Sequence, residues 1–327
     1  MLFQAEDGIR DNMAMYKNLL SEISTYFSIS GEMIPQNGED SYLYSFNENK
    51  GLVGVFDGCG GIGSRRYEIL NGKTGAYIAS RIVGECVAEW FEEYSEEEYS
   101  SDKSYQIFNV ITNALKGIKS KTPSSKIKGA MTKDFPTTLS MTIVEYCQNE
   151  MIADFIWAGD SRGYVLSDMG LAQVTKDDID DSVDALDNIS NDGVLTNVVS
   201  ADGNYILHSK QIKIKDKIII FNATDGCFGY LKTPMEFEYL ILQTLLSSDN
   251  IIEWRDKLKS QIRQYTGDDH TISLVAIGFK DFNEMQDYYL KRAETLYEHY
   301  IKNLKNCTQD EIDNLWNKYK RTYYGKA

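Results

Sequence analysis

The sequence predicts an α+β protein in which groups of antiparallel strands alternate with pairs of helices. Short apolar segments separated by turns predict the strands, and segments 42–46 and 52–56, joined by the polar turn 47–51, form the clearest hairpin. Longer segments with apolar residues three or four positions apart, 73–94 and 104–120, predict amphipathic helices. These patterns establish the class but leave open how strands and helices are layered.

The other elements follow in order along the chain. Residues 16–27 suit either a short helix or a strand, and 280–327 is helical in pattern. Further strands are expected at 138–144, 151–158, 163–167, 171–174, 206–214, 217–223 and 271–277. The strand at 163–167 is expected to pair with 151–158 as a hairpin. A capping box at 233–236, with proline at the first helical position, predicts a helix through Leu246, and 251–265 predicts another.

Composition and charge exclude several classes of function. The chain has 327 residues, 42% of them hydrophobic, which is ample for a core. Its net charge of −15 repels nucleic acid and anionic membranes, so neither is expected as a partner. Clustered carboxylates can still bind a cation locally.

The five cysteines form no C-x-x-C pair and leave one odd thiol, which argues against a disulfide or zinc framework and favours a reducing, cytoplasmic location. The start of the chain has no signal-peptide pattern, and no apolar segment is long enough to span a bilayer. Residues 1–12 differ from the remainder, so we expect a non-native or disordered segment with the native start at Met13 or Met15.

The most informative feature is a recurring carboxylate at strand ends. Asp57 and Asp225 each follow an apolar strand and precede glycine, Asp160 follows 156–159, and Asp268 precedes a strand. The hairpin 42–46/52–56 also brings Glu39 and Asp40 to the same end as Asp57. Each Asp-Gly pair alone is typical of a turn. Together, at several strand ends, these residues predict a shared site.

Converging carboxylates repel one another unless a cation compensates them. Oxygen ligands without a Cys or His cluster suit Mg²⁺ or Mn²⁺. Two such ions about 4 Å apart can share a water, lower its pKa and hold a phosphoryl group for in-line attack. The residues therefore predict a metal site with phosphate chemistry.

Six motifs stand in the order found in one family. They are Glu39-Asp40, 55–61 (VFDGCGG), 137–139 (TTL), 158–164 (AGDSRGY), 223–226 (ATDG) and 268–271 (DDHT). The chain resembles the PPM-type (type 2C) metal-dependent serine/threonine protein phosphatases, in particular bacterial members. The resemblance spans about residues 37–277 and implies a central β-sandwich of two antiparallel sheets flanked by pairs of antiparallel helices.

The resemblance also implies roles for individual residues. Asp57 resembles the carboxylate that bridges two Mg²⁺ or Mn²⁺ ions, and Asp225 and Asp268 resemble ligands of the first ion. Glu39 and the Gly58 carbonyl resemble ligands of the second ion, and Asp40 a residue that contacts an ion through water. Asp160 resembles a ligand of a weaker third ion. By this resemblance Asp57 and Asp225 act in catalysis through a bridging hydroxide that attacks phosphoserine or phosphothreonine directly.

Two positions depart from the family pattern. Cys59 stands where eukaryotic members have a histidine that protonates the leaving group, and bacterial members often lack this histidine as well. Pro35 stands where many members have an arginine that holds the substrate phosphate. Arg65 or Arg66 could replace that arginine, or both could be surface charges. None of the cysteines is required as a nucleophile.

The predicted organisation is a phosphatase domain at 13–280 and a helical extension at 281–327. The acidic segment 176–191 is either a solvated loop or a mobile flap over the cation site. The tyrosine-rich extension is either packed on the domain or a docking surface for a partner.

Two functions remain open. The first is a phosphoprotein phosphatase, expected to be a monomer and to oppose a Ser/Thr kinase. The alternative is a pseudophosphatase that uses the same fold for binding or regulation. The presence of Glu39, Asp57, Asp225 and Asp268 favours the enzyme.

Overall fold

The computed structural model describes residues 18–96, 100, 102–122, 133–147, 150–180, 184–190, 193–304 and 307–325. The segment 1–12 and both suggested start positions lie outside this part of the chain.

The described strands and helices are bounded as follows. The strands are β1 (Ile23–Gly31), β2 (Ser41–Phe46), β3 (Lys50–Phe56), β4 (Arg66–Tyr67), β5 (Lys73–Thr74), β6 (Leu139–Cys147), β7 (Glu150–Ala158), β8 (Arg162–Ser167), β9 (Gly170–Gln173), β10 (His208–Ile214), β11 (Ile218–Ala223) and β12 (His270–Ile277). The α-helices are α1 (Leu19–Glu22), α2 (Gly60–Gly63), α3 (Gly75–Ser95), α4 (Lys103–Lys121), α5 (Ala185–Ser190), α6 (Pro234–Leu246), α7 (Ile251–Tyr265), α8 (Phe282–Leu296), α9 (Lys302–Leu304) and α10 (Gln309–Tyr323). One π-helical turn, Tyr297–Ile301, separates α8 from α9.

Two five-stranded antiparallel sheets form the centre. Sheet A has the order β1-β12-β11-β8-β9 and sheet B the order β10-β7-β6-β3-β2. Their inner faces pack through residues such as Val53 and Phe155 from sheet B and Ile220 and Val275 from sheet A. The predicted β-sandwich is confirmed.

Helices cover both outer faces of the sandwich. On sheet B, α3 and α4 bury residues such as Val83, Phe91 and Ile111 against β3 and β6. On sheet A, α6, α7 and α8 bury residues such as Leu242 and Trp254. Strand β3 is buried at every position because it is a central strand with both faces covered. Within the described residues, no helix combines the length and apolarity needed to cross a membrane.

Several predicted boundaries agree closely with the structure. The capping box of Thr233 and Glu236 is present at the start of α6, which ends at Leu246 as predicted. Helix α7 has the predicted bounds. In the ambiguous segment 16–27, the described residues form the helical turn α1 and the first part of strand β1, so both alternatives are partly realised.

The predicted hairpin of 151–158 with 163–167 is wrong. Strand β7 pairs with β6 and β10 in sheet B, whereas β8 pairs with β9 and β11 in sheet A. The chain therefore changes sheets at 159–161. Gly159 has φ +98°, a conformation that favours glycine, and a Cβ there would lie 2.8 Å from Thr138. The crossover thus holds Asp160 between the sheets.

Candidate active site

The β2–β3 hairpin brings three acidic residues to one edge of sheet B. Ser41 pairs with Phe56, so Glu39 and Asp40, which precede β2, lie beside Asp57, which follows β3. This juxtaposition was predicted from the sequence and is confirmed. It follows from the hairpin alone, because Glu39 and Asp40 before β2 and Asp57 after β3 lie at the same end of two paired antiparallel strands.

Glu39 makes a close contact that requires the glycines after Asp57. A Cβ on Gly60 would lie 2.1 Å from Glu39 Oε2, and a Cβ on Gly58 would lie 2.8 Å from the Glu39 carbonyl oxygen. Thr74 Oγ1 donates a hydrogen bond to Glu39 Oε1. Burial, followed by the charges of Asp269 and Asp268, raises the pKa of Glu39.

Asp57 has a fixed backbone. Its carbonyl oxygen accepts hydrogen bonds from Thr138 N at 2.7 Å and from Thr137 Oγ1 at 2.8 Å. The partly buried side chain experiences desolvation, which raises its pKa well above the usual value. The charges of neighbouring carboxylates then raise this pKa further; they belong to Asp40, Asp225, Asp160 and Asp268.

Sheet A contributes the second group of carboxylates. Asp225 follows β11 and Asp268 precedes β12, and these antiparallel neighbours end at the same edge because Ala223 pairs with Ile272. The two turns are in close contact, since a Cβ on Gly226 would lie 1.9 Å from the Asp269 carbonyl oxygen. The edge of sheet A thus faces the Asp57 edge of sheet B.

Asp40 connects the two edges. Its Oδ2 accepts a hydrogen bond from Thr224 Oγ1 at 2.8 Å, although Asp40 precedes sheet B and Thr224 follows β11 of sheet A. Burial raises the pKa of Asp40 to about 8, and the Thr224 hydrogen bond opposes this shift. In the absence of a cation, the carboxyl group therefore favours its protonated form.

Asp160 reaches the same region from the crossover between the sheets. Ser161 and Thr138 share a hydrogen bond of 2.6 Å between their hydroxyls, which attaches the crossover to the Asp57 turn. Burial, then the charges of Asp225 and Asp177, raises the pKa of Asp160 well above its usual value. The carboxylates predicted for the site, which come from five chain segments, are therefore brought together.

The electrostatics of this cluster suit a cation. Burial and the negative charges of other carboxylates raise the pKa of Asp57. A bound Mg²⁺ or Mn²⁺ would compensate these negative charges. The donor set consists of oxygen atoms. In the part of the chain that the structure describes, no three His, Cys, Asp or Glu side chains form a ready-made ion site. To bind ions, these side chains would rotate slightly, or water molecules would complete the ligand set, as Mg²⁺ commonly retains several waters.

A cavity of about 270 Å³ opens beside Glu39 and Asp268. Met33, Ile34 and Tyr77 give it an apolar rim, and Arg66 and Lys73 provide two cations. Both cations come from the short β4–β5 ribbon, in which Arg66 pairs with Thr74. The cavity lining thus combines two cations with the carboxylates of Glu39 and Asp268.

The structure separates the two arginines that the sequence left equivalent. Arg66 lines the cavity and its charge lowers the pKa of Glu39. Arg65 instead lies 3.9 Å from Asp134 and 4.7 Å from the centre of the Tyr67 ring, outside the cavity lining.

Two site residues were missed in the sequence. Lys73 lines the cavity and donates a hydrogen bond to Asn37 Oδ1 at 3.1 Å. Asp269 accepts hydrogen bonds at 2.7 Å from the backbone N–H groups of Met33 and Glu39, and so fixes the loop that carries Glu39. A doubled aspartate before a strand was the only signal for Asp269. No signal in the sequence singled out Lys73.

The remaining reactive residues have packing roles. Burial and the Asp57 charge raise the pKa of the Cys59 thiol, which argues against a thiolate there. The His270 ring is buried and lies against Gly31, where a Cβ would be 2.2 Å from Nε2. His208, in β10 of sheet B, lies 2.9 Å from Asp178 Oδ1.

The chain combines a helix-flanked β-sandwich with acidic residues gathered at one end of its two sheets. A sequence model described as protein phosphatase 2C matches residues 35–263, more than half of the chain. The chain therefore belongs to the protein phosphatase 2C family. No curated protein sequence matched it.

Solved bacterial structures share this fold. The serine/threonine phosphatase PstP/Ppp of Mycobacterium tuberculosis is 16% identical, with a TM-score of 0.54 over 78% of this chain and 99% of that one. The phosphatase Stp1 of Staphylococcus aureus is 18% identical, with a TM-score of 0.56 over 79% and 98% of the two chains. A structure of the PstP catalytic domain with two manganese ions is 16% identical, with a TM-score of 0.50 over 78% and 98%.

Proposed function

We propose that this protein is a Mg²⁺- or Mn²⁺-dependent phosphatase that hydrolyses phosphoserine and phosphothreonine in proteins. The proposal rests mainly on the group of desolvated carboxylates around Asp57. Burial and the charges of the acidic neighbours raise the pKa of Asp57. Such a group is costly to bury without a cation. Membership of the protein phosphatase 2C family supports the reaction class.

The ligand roles are those that the family resemblance implies. Asp57 would bridge two ions. Asp225 and Asp268 would bind the first ion. Glu39 and the Gly58 carbonyl oxygen would bind the second. Asp40 would hold a metal-bound water, and Asp160 a weaker third ion. When bound, the ions supply Lewis acidity and the activated water that attacks phosphorus directly.

The chain's own residues would bind and orient the substrate. Arg66 and Lys73 would hold the phosphate oxygens at the cavity, in place of the arginine that Pro35 replaces. The apolar rim of Met33 and Ile34 would contact the peptide beside the phosphorylated residue. A desolvated Cys59 thiol is a weak acid, so we assign the proton for the leaving alcohol to a solvent molecule rather than to this residue.

The substrate would be a phosphorylated protein, and the enzyme would oppose a Ser/Thr kinase as a monomer. The phosphatase domain would comprise residues 13–280, followed by the helical extension 281–327.

The test is phosphate release from p-nitrophenyl phosphate and from a phosphothreonine peptide with Mn²⁺ or with EDTA. We expect Mn²⁺-dependent turnover that Asp57→Asn reduces at least about 100-fold, because the bridging position is lost. Asp256→Asn, at an exposed position on α7, is the matched control. If wild-type protein released no phosphate and Asp57→Asn behaved like Asp256→Asn, the proposal would fail.

A pseudophosphatase is the second candidate. Cys59 and Pro35 at two family positions favour it, because the leaving-group acid and one phosphate ligand are missing. Mn²⁺ binding and phosphopeptide binding without turnover would identify this alternative.

A further inference from the structure

The C-terminal extension buries several of its aromatic side chains against the rest of the protein. Trp316, Tyr319 and Tyr323 of α10 are each at most 3% exposed. Arg292 of α8 donates hydrogen bonds at 2.6 and 2.8 Å to the two carboxylate oxygens of Glu238 in α6, and Tyr319 also bonds to Glu238. The extension is thus anchored in the core outside sheet A.

The end of α10 reaches the residues directly behind Asp160. Arg162, two residues further on, is 1% exposed and donates hydrogen bonds to Asp177 at 2.7 to 3.1 Å. The Tyr323 hydroxyl lies 3.5 Å from Arg162 Nη1 and 3.4 Å from the Tyr164 hydroxyl. Tyr323 is therefore part of the wall that holds this arginine.

The same arginine contacts the Asp225 turn. The Arg162 guanidinium carbon lies 4.1 Å from the centre of the Phe228 ring. Phe228 N donates a hydrogen bond to the Asp225 carbonyl oxygen at 3.0 Å, so the aromatic ring is attached to the turn that presents Asp225. Displacement of Arg162 would disturb both Asp160 and Asp225.

A second contact attaches the end of α10 and the residue after it to the acidic segment 176–191, of which 181–183 and 191 lie outside the described residues. The Ala185 N–H donates a hydrogen bond to the Tyr324 hydroxyl at 2.8 Å, and this hydroxyl donates to Asp184 Oδ1 at 3.2 Å. Lys320 Nζ lies 3.7 Å from Asp184 Oδ2. Asp178, in the same segment, accepts a hydrogen bond from the N–H of Gly159 at 3.0 Å.

We propose that Tyr323 and Tyr324 at the end of α10 are positioning residues for the site. Tyr323 supports Arg162 behind the Asp160 and Asp225 turns, and Tyr324 holds the start of α5 in the acidic segment. The extension thereby fixes the segment that borders Asp160, although the family match ends at residue 263, before the extension begins. The effect of this positioning on turnover rests on the proposed phosphatase function.

The structural part is tested by amide hydrogen exchange of metal-free protein, with Tyr323→Phe and Tyr324→Phe compared with wild type. We expect Tyr324→Phe to speed exchange at 184–187, and Tyr323→Phe at 159–163, each by about fivefold, the effect of one lost hydrogen bond. Tyr297→Phe, 41% exposed on the same extension, is the matched control. Exchange rates in both segments equal to those of the control would overturn the proposal.

The functional part is tested by the KM for a phosphothreonine peptide and by the Mn²⁺ concentration for half-maximal activity. We expect the variants to raise one or both at least about threefold and to lower the thermal unfolding midpoint by only a few degrees, since each loses a single hydroxyl. Altered exchange with unchanged kinetic constants would refute the positioning role. If wild-type protein had no activity, the exchange data would still decide the structural claim, so its failure is separable from failure of the proposed function.

Discussion

Thr224 Oγ1 donates a hydrogen bond to Asp40 Oδ2 at 2.8 Å and thereby joins the acidic edges of the two sheets. The same hydroxyl accepts a hydrogen bond from Thr271 N at 2.9 Å, so its orientation is set by the backbone of β12. The Thr224 side chain thus links three of the chain segments that converge on the site.

Replacement of Thr224 by valine should weaken metal binding. The substitution removes the donor to Asp40 and leaves a buried carboxylate with one fewer partner. Loss of such a supporting hydrogen bond typically lowers metal affinity about 10- to 100-fold. We expect a corresponding rise in the Mn²⁺ concentration for half-maximal phosphatase activity. Thr224→Ser keeps the hydroxyl and should stay near wild type; equal effects of the two substitutions would contradict this role.

The metal-free protein should lose stability as pH rises. The Asp40 pKa is about 8 in the folded protein against 3.8 for an unperturbed aspartate, because the buried carboxyl resists ionisation. Between these values the unfolded state releases the proton first, so unfolding becomes easier with rising pH. We expect urea unfolding of Asp40→Asn to show a weaker pH dependence than wild type, and Mn²⁺ to stabilise wild type more at pH 8 than at pH 5. Parallel pH profiles for the two proteins would be incompatible with this explanation.

Gly60→Ala should damage the site while Gly61→Ala should not. A Cβ on Gly60 would lie 2.1 Å from Glu39 Oε2, so the carboxylate must move, whereas a Cβ on Gly61 would have no atom within 4 Å. We expect Gly60→Ala to lower Mn²⁺-dependent turnover at least about tenfold, because displacing the Glu39 carboxylate should cost at least as much as losing a residue that supports a metal ligand. Similar activity of the two variants would show that the Glu39 position is not critical.

Lys73→Met and Arg66→Ala should raise the KM for phosphopeptides. Each removes a cation from the cavity beside Glu39 and Asp268, and a hydrogen bond to a charged group contributes about 1.5–3 kcal/mol. We expect KM to increase about 10- to 100-fold in steady-state assays, with a smaller effect for Arg65→Ala, whose guanidinium pairs with Asp134. The assignment of the cavity cations would be wrong if Arg65→Ala had the largest effect.

Glu238→Gln should destabilise the attachment of the extension. Glu238 is fully buried and binds Arg292 and Tyr319, so the substitution leaves a partly buried guanidinium without its counter-charge. Breaking a buried pair in this way costs about 3–5 kcal/mol. We expect a loss of this order in the free energy of unfolding from urea titration. Lys302→Met, which breaks an exposed pair with Glu298, should cost less than about 1 kcal/mol.

Local rules predicted much of the fold. The hairpin that joins Glu39 and Asp57 follows from a short polar turn between two apolar segments, and α6 follows from its capping box. The layering was available only through the family resemblance. The crossover at Gly159 was mistaken for a hairpin because a short turn between two strands does not show whether they share a sheet.

The site was predictable where it depends on strand ends and not where it depends on long-range contacts. Carboxylates at the ends of β3 and β11 can be read from the sequence. Lys73 could not, because it reaches the cavity only through the β4–β5 ribbon. Tyr323 lies 161 residues after Arg162, and only tertiary packing brings them together.

The most direct test of the central claim is a Mn²⁺ titration of metal-free protein by calorimetry, with phosphothreonine-peptide turnover measured on the same samples. We expect wild type to bind Mn²⁺ and to gain activity over the same concentration range, and Asp57→Asn to lose both. Wild-type binding of Mn²⁺ without turnover, or turnover that is unaffected by EDTA, would contradict a metal-dependent phosphatase centred on Asp57.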